Sequence, residues 1–288
     1  MFDAFAIVDW SAANVRRQGR DSIWICRRGP DGERFENPPT RYQAKAVLAD
    51  WLAAAQANGE RVLLGFDFPF GYPAGFAAGL GLAGPPWRAV WDEIARLVDD
   101  RENNGNNRFL VGAELNRRLS GKAHPFWGCP KNKAGPYLAA IRPVYDTRLA
   151  EKRLIDTWMI GAQPCWKLAY PGSVGSQSLT GIPVVRALRD DPRWAGRARI
   201  WPFETGLRPP ADAPIVFAEV WPSWWPVRAE LGPPKDRAQV RTVANIFAQR
   251  DRAGGLEPWF AGDPSLSAQQ RRLVEREEAW TLGVIGRK

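Results

Sequence analysis

The chain has 288 residues, 3 cysteines, 1 histidine and a formal charge of +9, with a pI near 9.8. That length suits one large domain, or one core with a sizeable insertion, and it can bury a full core without staples. Cys26, Cys129 and Cys165 form neither a zinc spacing nor a disulfide framework, and with His124 alone and no Gly-x-Ser-x-Gly elbow, a Ser-His-Asp triad and histidine-rich metal sites are excluded.

No secretory pattern opens the sequence and no apolar run approaches membrane-spanning length, so a cytoplasmic location is expected. The positive charge favours polyanionic partners such as nucleic acid or phosphorylated ligands. The 15 tryptophans suit core and loop anchors, because Trp buries a large area, with some available to stack on bases. Chemistry in this chain must rest on carboxylates, lysines or a metal.

The first predicted element is the apolar run Phe5-Ala6-Ile7-Val8, which leads directly into Asp9. Such a run reads as a strand buried on both faces. An aspartate at its end needs a cation, a proton or hydrogen bonds; it is either a site residue or a turn or capping residue at the strand exit. A polar, basic hairpin turn over 14–21 precedes a second strand, Ser22 to Cys26, and a short third strand is expected near Glu33 to Phe35. Residues 42–58 form a predicted helix on the spacing of Val47, Leu48, Trp51 and Leu52, ended by Asn58-Gly59. The next strand, Val62-Leu63-Leu64-Gly65-Phe66, repeats the pattern of the first: it ends in Asp67, then Pro69 and Gly71 break the chain. Two strands that deliver carboxylates to one end of a sheet make a site for a hard divalent cation.

From Tyr72 to Gln163, glycines and prolines interrupt regular structure, with helices expected over 87–99 and 109–119. This section reads as an insertion folded over the strand ends, where α/β sites lie. Within it, Leu115 to Tyr145 holds no acidic residue and interleaves Arg117, Arg118, Lys122, Lys131, Lys133 and Arg142 with Phe126, Trp127 and Tyr137. That pattern suits a phosphodiester track with base stacking, or a solvated basic surface. Cys165 to Tyr170 reads as a strand. The Gly/Ser-rich run Gly172 to Ser178 reads as an amide cradle for phosphate or as close packing against the sheet; it lacks the Walker ending. A short strand is expected at Arg199 to Phe203.

Ile215-Val216-Phe217-Ala218-Glu219 is the third apolar strand closing on an acid. Glu219 is the only charge between Ile215 and Pro226, so it is either a site residue or half of a buried pair with an arginine. A helix is predicted from Lys235 to Arg252, with Asp236 where an N-cap belongs, and a final helix over 267–283. There Glu278, with Glu277 as the alternate, would complete a carboxylate cluster, or simply occupy a helix surface.

The order β-β-β-α-β, with acids on the first and fourth strands, is how a ribonuclease H-like fold begins. Four motifs, Val8-Asp9-Trp10-Ser11-Ala12, Gly65-Phe66-Asp67-Phe68-Pro69, Glu219-Val220-Trp221-Pro222 and Glu278-Ala279, resemble those of a family called domain of unknown function 429, described as predicted RNase H-like nucleases. The segments 124–130, 172–183 and 235–240 resemble a proteobacterial branch, some of whose members are labelled molybdopterin-guanine dinucleotide synthesis proteins. The family's last helix usually offers Asp-Ala where this chain has Glu-Ala.

The expectation is therefore one α/β domain of ribonuclease H-like fold over 1–288, with a mixed central sheet flanked by helices and 72–163 as a helical and irregular insertion. Asp9, Asp67, Glu219 and Glu278 would hold Mg²⁺ or Mn²⁺ for phosphodiester hydrolysis of nucleic acid, and two ions roughly 4 Å apart would serve such a reaction. Ser11, Arg117, Lys131, Lys133 and Trp127 would contact the substrate. The alternatives are a phosphotransferase of actin and sugar-kinase architecture using Asp9, Ser11 and the loop 172–178, or a non-catalytic nucleic-acid-binding or cofactor-biosynthesis accessory protein.

Overall fold

The apolar runs that end in Asp9, Asp67 and Glu219 lie side by side at the centre of one sheet. In the computed structural model, which describes residues 1–144, 148–227 and 232–287, they are β1 (Ala4–Asp9), β4 (Val62–Phe66) and β6 (Ile215–Glu219), mutually parallel. β2 (Trp24–Gly29) runs antiparallel beside β1, β3 (Gly32–Glu36) forms a hairpin with β2, and β5 (Ala198–Ile200) closes the far edge parallel to β6. The 6-stranded order is β3-β2-β1-β4-β6-β5, so only β2 opposes the others.

Alternation along the central strands builds two cores, as a sheet buried on both faces requires. Ala4, Ala6, Val8, Val62, Leu64, Phe66 and Phe217 face a layer that includes α1 (Arg41–Ala57), α3 (Pro86–Leu97), α4 (Arg108–Leu119) and α5 (Val174–Arg189). Phe5, Ile7, Leu63, Val216 and Ala218 face α6 (Lys235–Arg252) and the C-terminal segment. Thr40 caps α1 by accepting from the Gln43 amide. The section 72–163 does more than cover strand ends. After the single turn α2 (Phe76–Gly79), its α3 and α4 place Val90, Trp91, Ile94, Val111 and Leu115 in the first core.

Three expectations change. Residues 165–170 form turns, with only an isolated bridge between Trp127 and Lys167. The Gly/Ser-rich run is largely the start of α5, which begins at Val174. A Cβ on Gly175 would stand 2.2 Å from the Cys165 carbonyl oxygen. Close packing, not an open phosphate loop, explains this glycine, and the phosphotransferase reading loses its loop. Finally, the last helix is short. α7 (Ala268–Leu273) opens with a Ser267 capping box and passes into a wider turn over Val274–Glu278. It stops at Ala279, whose φ of 63° ends regular helix.

The cysteines are buried and unpaired. Among the described residues no helix is long and apolar enough to cross a membrane.

Candidate functional site

Parallel pairing of β1 with β4 sets Val8 opposite Phe66. Asp9 and Asp67 follow one step beyond, and the Asp67 amide still donates to the Val8 carbonyl at 2.9 Å. Their backbones are thus separated by about one strand spacing, roughly 4.8 Å. Both continue the alternation of Phe5, Ile7 and Leu63, the face covered by α6. Each residue is half-buried. Among the described residues, neither carboxylate has a hydrogen-bond or ion-pair partner.

Electrostatics follow from that geometry. Burial pushes the Asp9 carboxyl well above the usual carboxylate range, and the charges of Asp67, Asp236 and Asp21 push it further, with Lys235 opposing them. Burial, then Glu219 and Asp236, pushes Asp67 up to about 7. Two acids this close cannot both ionise cheaply, so near neutral pH the pair retains proton density that a cation could displace.

Glu219 behaves differently. Its register partner is Phe66, not Asp67, so it belongs to the alternation of Ile215 and Phe217. Arg153, itself 1% exposed, donates to both its carboxylate oxygens, Nη1 at 2.7 Å and Nη2 at 2.8 Å. The Phe70 amide and the Thr281 hydroxyl each add a bond at 2.9 Å. Arg153 also clasps Asp156, at 2.8 Å from Nη2, and donates to the Glu278 carbonyl at 3.0 Å. The buried pair with an arginine is therefore what the fold builds. Even so, Asp67, Glu219, Arg153 and Asp156 line one cavity of about 40 Å³, large enough for a water molecule.

Glu278 lies outside the electrostatic surroundings of Asp9 and Asp67. Its oxygens accept from the Ala74 amide at 3.0 Å and the Leu154 amide at 2.5 Å, while Glu277 accepts from the Gly75 amide at 2.7 Å. The last helix thus pins the segment after β4 and the segment that carries Arg153. Its place beside the aspartate pair is taken by Asp236. The expected capping role of Asp236 is not realised: the N-cap is Pro234, without a side-chain bond. Asp236 instead accepts from the Asp21 amide at 2.8 Å, anchoring the turn that follows β1 next to Asp9 and Asp67. Lys235 preceding it supplies the nearby positive charge. An acid in the first turn of a long helix was the available sequence signal; that α6 packs on β1 and β2 was not.

Among the described residues, no three His, Cys, Asp or Glu side chains could share one metal ion. The expected cluster of Asp9, Asp67, Glu219 and Glu278 is not assembled, because Glu219 and Glu278 are held by an arginine and by backbone amides. What remains is two half-buried carboxylates without partners among the described residues, a donor set of the kind with which Mg²⁺ is held when waters or substrate oxygens fill its other positions.

The expected substrate contacts are scattered. Ser11 closes the turn after β1, donating to the Asp21 carbonyl at 3.4 Å. Arg117 pairs with Glu114 on an exposed stretch of α4 at 2.8 Å. Lys131 and Lys133 sit in an exposed 3₁₀ turn, with no acid partner among the described residues. Trp127 is half-buried, with Lys167 Nζ 5.8 Å from its ring and its indole N–H enclosed without a partner among the described residues. The basic section ends at Tyr145, outside the described residues.

The chain matches no protein-family model, no curated protein and no solved structure.

Proposed function

We propose that this chain has a ribonuclease H-like fold and is a divalent-cation-dependent phosphodiester hydrolase acting on nucleic acid. The sheet order, with a hairpin pair ahead of four parallel-running strands and β2 alone reversed, supports the fold. The motifs at Asp9, Asp67 and Glu219 support the resemblance to the domain of unknown function 429 family. The observation that carries the activity is the unpartnered Asp9–Asp67 pair on adjacent strand ends.

Asp9 and Asp67 would hold Mg²⁺ or Mn²⁺, which, when bound, polarises a phosphoryl oxygen and lowers the pKa of water. In the ion-free protein the pair keeps a proton near neutral pH, so ion uptake and proton release are linked. Arg153 fixes Glu219 and thereby the wall of the cavity beside Asp67. The net charge of +9 draws a polyanionic substrate to the surface.

The test is Mn²⁺ titration by calorimetry, alongside cleavage of a fluorescent oligonucleotide. The parent should bind Mn²⁺ and cleave only with it, whereas Asp9→Asn should lose at least tenfold in affinity and nearly all cleavage. An Asp9→Asn protein with undiminished Mn²⁺-dependent cleavage would refute the assignment.

A further inference from the structure

Where the chain leaves Asp9, it runs through Ser11 and Ala13, whose carbonyls accept from Arg41 Nη1 at 2.9 and 2.8 Å, and reaches Asn14. Asn14 is five positions beyond Asp9, a reach of at most about 17 Å. Asn14 lines a cleft of about 630 Å³ with Asn106, Asn107, Phe109, Leu110 and Lys133. Asp99 and Arg101 line it as well, and Leu110 is 69% exposed, a large apolar side chain open to solvent.

Behind the asparagines lies Arg108. Its guanidinium stacks on Phe109, 4.4 Å from the ring centroid. Nε donates to Ser176 Oγ at 2.9 Å, and Nη1 donates to Asn106 Oδ1 at 2.9 Å and to Asn14 Oδ1. Every one of these acceptors is neutral. Among the described residues no carboxylate pairs with Arg108, and its Nη2 makes no hydrogen bond. A half-buried guanidinium ordinarily pairs with an anion; here Asp100, the acid whose charge reaches it, gives both its oxygens to Arg41, and no carboxylate among the described residues bonds Arg108. Burial and the nearby Arg41 also lower its proton affinity, with Asp100 opposing them, to a pKa of about 10.

We infer that this cleft is the binding site for unpaired nucleotides of a single-stranded nucleic acid, with a phosphate on Lys133, the charge of Arg108 behind the lining, and a base against Phe109, Leu110 and the amide groups of Asn14 and Asn132. Amide side chains match the donor and acceptor edges that a base exposes only when unpaired, and apolar or aromatic surfaces suit its face. A duplex keeps its bases stacked and paired, so it could not place one in a recess of this size. The inference rests on the nuclease reading for its chemistry and adds the substrate class: a strand entering the Asn14 cleft would present a phosphodiester a few nucleotides away to Asp9 and Asp67.

The test is fluorescence anisotropy with end-labelled 12-nucleotide RNA and DNA single strands and the matching duplexes, in EDTA so that nothing is cleaved. Single strands should bind at least tenfold more tightly than duplexes. Arg108→Gln should weaken single-strand binding at least tenfold. Lys133→Gln, on an exposed turn where folding is not at stake, should weaken it several-fold and reduce the slope of log K against log salt by about 0.7. Duplex binding as tight as single-strand binding, or unchanged affinity and salt slope in Lys133→Gln, overturns the inference. Because no turnover is read, loss of strand binding leaves the aspartate pair untouched. Intact strand binding without Mn²⁺-dependent cleavage overturns the hydrolase reading instead.

Discussion

Replacing Asp67 with asparagine removes a charge that the fold holds at a cost, and the cost has a predictable pH signature. Asp67 titrates near 3.8 when exposed and at about 7 in the folded chain, because burial, Glu219 and Asp236 all oppose its ionisation. Between those values the folded state binds more protons than the unfolded state, so this residue lowers stability as pH rises from about 4 to 7, and the full penalty persists above. The rise from 3.8 to about 7 corresponds to about 4 kcal/mol at 1.36 kcal/mol per pH unit. Asp67 is half-buried, and solvent screening should reduce this to about 2 kcal/mol. Asp67→Asn keeps the shape and never pays the penalty. In EDTA it should match the parent at pH 4 and exceed it at pH 8 by about 2 kcal/mol, or about 5 °C in Tm for a chain of this length. Urea and thermal unfolding at both pH values measure this. A variant that is less stable than the parent at pH 8, or a gap that is the same at both pH values, would refute the claim that Asp67 is an unneutralised acid.

Other outcomes follow from the same geometry. Mn²⁺ should stabilise the parent at pH 8, by about 2.7 kcal/mol at a hundredfold excess over Kd, and release protons on binding at pH 6 to 7; a titration whose heat is independent of buffer ionisation enthalpy would count against proton displacement. Glu219→Gln should destabilise by about 3 to 5 kcal/mol, because it leaves Arg153 short of one charge in a buried network; denaturant unfolding decides. Gly71→Ala should be at least as damaging, since its Cβ would fall 2.4 Å from the Glu277 carbonyl oxygen, forcing the segment after β4 off the last helix. Unaltered unfolding of that variant would show that the contact yields freely.

Much was legible in local pattern. Apolar runs closed by acids marked β1, β4 and β6, because a strand buried on both faces needs continuous apolar residues and its exit is where a polar side chain can reach solvent. Helical spacing located α1, α3 and α6 to within a few residues, and α4 falls where a helix was expected over 109–119. The Gly/Ser run at 172–178 misled, because small residues that admit close backbone packing look in sequence like small residues that cradle phosphate; only the 2.2 Å approach of a Gly175 Cβ to Cys165 separates the two.

The sequence by itself pointed to carboxylates, lysines or a metal as the groups for any chemistry, and to Asp9 and Asp67 as the ends of two strands of one pattern. Only the tertiary structure decided which acids remain without partners. Arg153 lies between α4 and α5, just before a 3₁₀ turn at Ile155–Thr157, yet it crosses to neutralise Glu219; Glu278 is turned to backbone amides; Asp236 arrives with α6 beside the pair. Alternation is a property of one strand and can be read along it. Neutralisation depends on which distant side chain ends within 3 Å, and that is fixed only when the layers pack.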